Sequence, residues 1–201
     1  MAPRTGPDEV LDAAVACIAR VGLAKTTLDD VARAAGCARA TVYRHFPGKQ
    51  PLFAALVARE ARRVVDELVG QGRATASLSD AVVAVVTTAT RELQEHPALA
   101  FVVAYEPDVL LPYLAFERES AFLGAAAALV APAFTPFLPE ASATRLAEWL
   151  TRITQSFLCS PSEYFDVRDA EQVRALVDDF VLPGFTGAGK QFARSFEERS
   201  L

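Results

Sequence analysis

Residues 26–52 read TTLDDVARAAGCARATVYRHFPGKQPL, and the helix signals in this stretch decide the fold of the region around it. Thr27 and Asp30 have the spacing of a capping box, which predicts the start of a short helix. Gly36 can adopt the positive φ with which many helices end. A second short helix is predicted over Arg39–His45, because Pro47-Gly48 interrupts any continuation.

Two short helices joined by such a turn form a helix-turn-helix. The first helix needs a small residue where the second packs on it, and Ala32 meets that need. The second helix needs an apolar inner residue, here Val42, and polar outer residues near its start, where base edges are met. The residues predicted to face inward are Leu28, Val31, Ala32, Val42 and Phe46. Spacing alone fits an ordinary three-helix packing motif equally well.

Charge is distributed unevenly along the chain. The 201 residues carry a formal net charge of −5, which by itself argues against a nucleic-acid partner. Residues 1–63, however, hold ten basic and six acidic side chains, which gives a net charge of +4. The remainder holds ten basic and nineteen acidic side chains, which gives a net charge of −9. A basic binding head on an acidic body would show this pattern.

The rest of the chain is also predicted to be helical. Apolar residues make up 52% and charged residues 22%, as in a globular protein, and the apolar residues recur at helical spacing. We predict an all-α fold of about nine helices, with residues 1–50 as a three-helix helix-turn-helix domain and 51–201 as a second helical domain. Asp8 is predicted to cap the first helix and Asp169 the last, while Gly70-Gln71-Gly72 ends the long fourth helix and Pro183-Gly184 the last one.

No apolar run is long enough to span a bilayer, and the N-terminus has no secretory pattern, so a cytoplasmic location is expected. Cys17, Cys37 and Cys159 lie among apolar neighbours without CxxC spacing, and the chain has only two histidines. The cysteines are therefore predicted to be small buried hydrophobes. No metal site and no cofactor is expected.

The helix-turn-helix stretch resembles the DNA-binding domain of the TetR/AcrR family of transcriptional regulators. The matching residues are Thr27, Val31, Ala32, Ala35, Gly36, Thr41, Val42, Tyr43, His45, Phe46, Gly48, Lys49 and Leu52. The resemblance covers roughly the first third of the chain, and the remainder matches the family only in length and helix pattern.

Three departures from the family pattern stand out. Cys37 replaces the usual valine, and Gln50-Pro51 replaces Glu-Ala, so the fourth helix could begin late. Ala38 stands where serine usually caps the recognition helix, which forfeits a cap worth about 1 kcal/mol.

The resemblance implies a set of DNA contacts. Thr27, Tyr43, His45 and Lys49 would contact phosphates, whereas Arg39 and Thr41, with Ala40 as an apolar contact, would meet bases in the major groove. Arg44 could do either. Arginine fits guanine bidentately, so Arg39 is the best single candidate for base readout. His45 has a plainer alternative as a half-buried histidine at a helix end.

A single short recognition helix binds weakly, so the chain is expected to form a homodimer that reads two half-sites of double-stranded DNA. Helices predicted over residues 141–159 and 169–182 are the candidates for a four-helix interface. Candidate interface residues are Trp149, Ile153, Phe157, Val173, Val177 and Phe180. Each could instead belong to the core of one protomer.

The second domain is expected to hold a small apolar or aromatic effector, such as a lipid or acyl thioester. Candidate ligand residues are Thr87, Thr88, Arg91, Phe101, Tyr105, Tyr113, Phe116, Phe122 and Trp149. Core packing is the alternative for each aromatic side chain. The resemblance implies that the ligand moves the fourth helix and changes the spacing of the two DNA-binding heads.

These observations favour a ligand-responsive transcriptional repressor that occupies a palindromic operator. An architectural DNA-binding protein without a ligand is the alternative, although it would not need so large an apolar second domain. An enzyme is disfavoured, because the chain has no GxSxG or HExxH motif and no phosphate-cradling glycine loop.

Overall fold

The computed structural model describes residues 5–106, 108 and 117–186, and every regular element among them is a helix. The helices are, in chain order, α1 (Pro7–Val21), α2 (Leu28–Ala34), α3 (Arg39–His45), α4 (Lys49–Arg73), α5 (Leu78–Glu95), α6 (Pro97–Tyr105), α7 (Glu117–Val130), α8 (Glu140–Cys159), α9 (Ala170–Leu176) and α10 (Leu182–Thr186). A 3-10 turn (Ala131–Ala133) follows α7, and a π-helical turn (Val177–Val181) joins α9 to α10. The predicted all-α fold class is confirmed. Within the described ranges, no helix is both long enough and apolar enough to cross a membrane.

The chain packs as two compact units. The first contains Met1–Val64 and Glu92–Ser120, and the second contains Val65–Arg91 and Ala121–Leu201. Helices α4 and α5 therefore contribute residues to both units, and α6 belongs to the first. The predicted division into residues 1–50 and 51–201 concerns function and stays a prediction.

Helix α2 begins and ends as its local sequence predicts. The Thr27 hydroxyl oxygen accepts the Asp30 N–H at 3.2 Å, and the Asp30 carboxylate accepts the Thr27 N–H at 3.2 Å. Gly36 follows the helix with φ +63°. The N–H groups of Gly36 and Cys37 bond to carbonyls in the last turn at 3.2 and 3.0 Å, the pattern of a Schellman motif. The predicted capping box and glycine turn are both confirmed.

Helix α3 lacks a side-chain cap, as predicted. Ala38 precedes it with an extended backbone, and no side chain bonds to the first N–H groups. Val42 is 0% exposed and Phe46 7% exposed, so packing holds the helix in place. Helix α2 packs against both α1 and α3.

The core of the first unit fixes these three helices. Val10 and Ala14 of α1, Val31 of α2 and Val42 of α3 are all fully buried in it. Helix α6 joins the same core through Ala98 and packs against α1. The core thus ties the helix-turn-helix to an element much later in the chain.

In the first half of the chain, two helix boundaries differ from prediction. The N-cap of α1 is Gly6 rather than Asp8, because the Glu9 carboxylate accepts the Gly6 N–H at 2.7 Å. Helix α4 continues through Gly70 and Gly72 to Arg73. Gly72 serves close packing, since a Cβ there would lie 2.7 Å from the Ala133 Cβ.

The second unit is built on another core, in which Ala81, Val82, Phe134, Leu146 and Ala147 are fully buried. Helix α9 has the cap predicted for the last helix: the Asp169 carboxylate accepts the N–H groups of residues 171 and 172 at 2.9 and 3.4 Å. The predicted end at Pro183-Gly184 is wrong. The chain continues through the π-helical turn into α10. Pro183 lies in the first turn of α10, where its missing N–H is tolerated.

The three cysteines differ in environment. Cys17 is buried, and burial raises the pKa of its thiol. Cys37 is half-buried, whereas Cys159, the last residue of α8, is exposed. The prediction that all three are buried is therefore wrong for Cys159.

Candidate nucleic-acid interface

Helix α3 turns its polar side chains outward. Arg39, Ala40 and Arg44 are exposed, Tyr43 is 40% exposed, and Thr41 is half-buried. Because the inner residues anchor this helix to α1 and α2, the outer residues stand on a rigid support. That is the arrangement a major-groove reader requires.

The Arg39 side chain is bound within the protein. Its Nε and Nη1 atoms contact the two carboxylate oxygens of Asp29 at 2.9 and 3.1 Å. Its Nη2 donates to the Tyr43 hydroxyl at 3.0 Å, and the guanidinium carbon lies 5.0 Å from the centre of the Tyr43 ring. These contacts raise the pKa of Arg39, first through the Tyr43 hydrogen bond and then through the Asp29 charge. All three guanidinium nitrogens therefore have a partner.

Thr27 is exposed at the start of α2, but its hydroxyl is already used by Asp30. The hydroxyl donates to the Asp30 carboxylate and holds the pKa of that carboxyl below its ordinary value of 3.8. The resulting stability is present above the ordinary pKa and is lost as the pH falls through the lowered pKa. A phosphate at Thr27 would have to compete with Asp30 for the hydroxyl proton.

Lys49 and His45 also contact the protein backbone. The Lys49 ammonium donates to the Ala24 carbonyl at 2.8 Å and lies 5.3 Å from the centre of the Phe53 ring. His45 ends α3, is half-buried, and has its Nε2 atom 3.3 Å from the Thr5 carbonyl oxygen. His45 thus has the environment of the plainer alternative, a histidine at a helix end.

A concavity of about 280 Å³ brings several of the predicted contacts together. It is lined by Thr26, Thr27, Leu28, Asp29, Arg39, Tyr43, Gly48 and Lys49. Four of these residues were predicted to contact DNA. Ala40, Thr41, Arg44 and His45 are not among its lining residues.

The loop between α1 and α2 is held by Glu106 at the end of α6. The Glu106 carboxylate accepts the N–H groups of Leu23 and Ala24 at 2.6 and 3.1 Å. Gly22 makes this approach possible: its φ is +87°, and a Cβ there would lie 2.5 Å from a Glu106 oxygen. Glu106 therefore connects α6 to the loop whose Ala24 carbonyl binds Lys49.

The sequence pattern did not identify Asp29 or Glu106 as residues of the site. Asp29 carried only its charge as a signal, because its pairing with Arg39 depends on how α2 and α3 pack. Glu106 carried none, since it contacts residues more than eighty positions away along the chain.

The predicted ligand residues belong to both units and differ in exposure. Thr88 is buried and Arg91 is exposed. Phe101 packs beside Gly22, with its ring 4.8 Å from that of Tyr105, and Tyr105 is 73% exposed. Tyr113 and Phe116 lie outside the described residues, as does the Phe122 side chain. The ligand-binding role of this set stays a prediction.

A larger concavity of about 620 Å³ lies in the first unit, among charged residues. Its lining includes Asp12, Arg59, Glu60, Arg63 and His96. Arg59 pairs with Asp12 at 2.8 Å and with Glu60 at 2.6 Å. These charges neutralise one another, and none of the predicted ligand residues lines this concavity. Among the residues described, no group of three or more potential ligands is placed to hold a metal ion.

The predicted interface residues fall into two groups. Val173 and Val177 are buried in the core of the protomer, at 3% and 2% exposed. Phe157 is half-buried, while Ile153 and Phe180 are 37% and 72% exposed. Trp149, proposed for either role, is 40% exposed on α8. The interface stays a prediction, which now depends on the exposed members.

The comparisons with known proteins agree on one protein family. Residues 10–56 match the family model described as bacterial regulatory proteins of the tetR family. An HTH-type transcriptional regulator of Mycobacterium tuberculosis (strain H37Rv) is 32% identical over 186 residues, which cover 90% of this chain and 86% of the relative.

Solved structures share the fold. The TetR-family repressor AlkX from Dietzia sp., implicated in biodegradation of n-alkanes, superposes with a TM-score of 0.65 at 21% identity, over 90% of this chain and 97% of that one. The regulator FadR from Bacillus subtilis, in complex with stearoyl-CoA, superposes with a TM-score of 0.59 at 17% identity. The superposition covers 88% of this chain and 100% of that one.

These likenesses confirm the resemblance that residues 26–52 suggested. They also place the chain in a class of regulators that are not enzymes. With the helix-turn-helix geometry above, they show that the chain belongs to the TetR family of bacterial transcriptional regulators.

Proposed function

We propose that this regulator represses transcription by binding a palindromic operator as a homodimer, and that a small apolar or aromatic effector releases it. The observation that supports the DNA-binding role is the grouping of Thr27, Arg39, Tyr43 and Lys49 around one concavity beside the exposed face of α3. Residues 1–50 would form the DNA-binding domain, and 51–201 the ligand-binding and dimerisation domain. Because its partner is chromosomal DNA, the protein would act in the cytoplasm.

Base readout would come from the start of α3. Arg39 would contact guanine through two N–H groups, with Thr41 and the Ala40 methyl group completing the base contacts. Thr27, Tyr43, His45 and Lys49 would contact phosphates, and Arg44 could reach either. Phosphate contacts position the head, whereas base contacts select the sequence.

Dimerisation would place two heads on successive turns of the duplex, about 34–36 Å apart or a multiple of that distance. Exposed apolar side chains on α8 and on the π-helical turn support this step. Ile153 and Phe180 are the strongest candidates, and Phe157 lies four residues after Ile153 on α8. In a twofold interface, the same patch is used by both protomers.

The effector class is inferred from two proteins of similar fold, AlkX, implicated in n-alkane biodegradation, and FadR, bound to stearoyl-CoA. A long-chain apolar compound is therefore the first class to test. It would act by binding one arrangement of the heads more tightly than the other. Thr88, Arg91, Phe101, Tyr105, Tyr113, Phe116 and Trp149 remain the candidate contacts.

Selection of duplexes from a random-sequence pool by the purified chain tests the proposal. The wild-type protein should enrich a palindrome. Arg39→Ala with Tyr43→Ala should abolish enrichment with little change in melting temperature, because both side chains are exposed and the Arg39–Asp29 ion pair is a weak surface pair. Arg145→Ala with Tyr164→Ala removes the same side-chain types elsewhere and should leave enrichment intact.

The double variant at α3 provides the decisive result. Enrichment of the same palindrome by that variant would disprove the assignment of α3 as the reading helix. Stearoyl-CoA can then be added to the wild-type complex as the first effector probe. Release of the palindrome by stearoyl-CoA, but not by coenzyme A, would support an apolar effector; release by neither would direct the search to other compounds.

A further inference from the structure

We propose that Asp29 is the positioning residue for base recognition: it orients the Arg39 guanidinium toward guanine and weakens the attraction of Arg39 for phosphate. The inference rests on the proposed function, since it assumes that α3 reads DNA. Asp29 lies on α2, and neither the resemblance nor the comparisons assign it a role.

The geometry of Arg39 leaves a defined set of donors. A guanidinium carries five N–H groups. Nη1 donates one N–H to Asp29 and Nη2 donates one to the Tyr43 hydroxyl, while the other Asp29 oxygen lies 2.9 Å from Nε. One further N–H group remains on each Nη atom, two in all. Two is the number that a bidentate contact to guanine O6 and N7 requires.

Asp29 also fixes the direction of the side chain. An unpaired arginine on a helix surface samples many rotamers, and ordering it on binding costs conformational entropy. Here the Asp29 carboxylate on α2 and the Tyr43 ring on α3 hold the guanidinium before DNA arrives. The guanine contact then needs less ordering than it would from a free arginine.

The carboxylate opposes unspecific binding at the same time. Asp29, Arg39 and Lys49 line the same concavity, where a phosphate could approach. The negative charge of Asp29 compensates that of Arg39 and repels a phosphate directly. A guanine edge is uncharged, so it does not meet this repulsion. Asp29 therefore lowers affinity for DNA in general more than affinity for the correct base.

Asp29→Asn tests this inference, with Glu95→Gln as a control of equal charge change at an exposed site on α5. Each protein is run through selection from the random-sequence duplex pool, and its binding to a fixed non-palindromic duplex is measured against salt concentration. Asp29→Asn should reduce the preference for guanine at one position of each half-site by at least about fivefold. Its salt slope on the fixed duplex should steepen by about 0.9 for each head that gains a phosphate contact.

A second variant separates positioning from folding. Arg39→Lys keeps the charge but cannot bind guanine through a rigid pair of donors. It should lose the guanine preference while still binding the fixed duplex. Adding Asp29→Asn to Arg39→Lys should change base preference no further, because Asp29 acts through Arg39.

The results distinguish a failure of this inference from a failure of the proposed function. If the wild-type protein enriches a palindrome and Asp29→Asn keeps the same guanine preference and salt slope, the inference is wrong while the proposed function stands. Equal effects of Glu95→Gln would also overturn it, since they would reflect net charge alone. If the wild-type protein enriches no sequence, the proposed function is wrong and the inference falls with it.

Discussion

At the scale of single residues, Glu106 joins the end of α6 to the loop before α2. Its carboxylate accepts two backbone N–H groups, from Leu23 and Ala24, at 2.6 and 3.1 Å. Hydrogen bonds to a charged group contribute more than those to a neutral one. Glu106→Gln keeps the shape but removes the charge, so it should lower the free energy of unfolding by about 1–2 kcal/mol.

Urea unfolding followed by circular dichroism measures this difference. Glu95→Gln makes the same chemical change at the exposed end of α5, and it should leave the unfolding free energy nearly unchanged. A Glu106→Gln protein as stable as the wild type would show that the two contacts add nothing to folding.

At the scale of elements, α3, the proposed reading helix, has no side-chain cap at its start. Ala38 already has the extended backbone of a capping residue, with φ −71° and ψ 143°. A serine hydroxyl at this position can therefore accept a backbone N–H without moving the chain. Ala38→Ser should raise the free energy of unfolding by about 1 kcal/mol.

The matched control is Ala34→Ser, at the exposed last residue of α2. There a serine has no cap to form and should cost a few tenths of a kcal/mol through its lower helix propensity. The two variants should thus shift the unfolding midpoint in opposite directions. Equal shifts would indicate that Ala38 is not limiting for the stability of α3.

The elements that sequence predicted are those specified by neighbouring residues. The capping box at Thr27, the positive φ of Gly36 and the inward side of Val42 all depend on interactions within a few positions. Gly72 shows the limit: its sequence context suggested a helix end, but packing against Ala133 keeps it inside α4.

The candidate site follows the same division. Which residues of α3 face outward was predictable from helix periodicity. The contacts made by the site residues were not predictable, because the Asp29–Arg39 pair and the Glu106 contact depend on how separate elements pack. A pattern along one chain carries no information on such distant pairings.

At the scale of the whole molecule, the second unit exposes apolar side chains that a single protomer leaves uncovered. Trp149 and Ile153 are four residues apart on α8, so they share one face of that helix. They are 40% and 37% exposed, and Phe180 is 72% exposed. Exposed apolar surface commonly marks an interface, and a second copy of the chain is the partner that the proposed palindromic operator requires.

Replacing Ile153 and Phe180 with glutamate should therefore give a folded monomer, because both side chains are exposed in the protomer. In a twofold interface, the two protomers together would bury four like charges. Light scattering should report the mass of one 21.6 kDa chain for this variant and twice that mass for the wild type. Tyr164→Glu, at a residue 85% exposed outside α8 and the π-helical turn, should leave the dimer intact. If the double variant keeps the dimer mass, the interface lies elsewhere on the molecule, and the spacing of the two heads must be set by other helices.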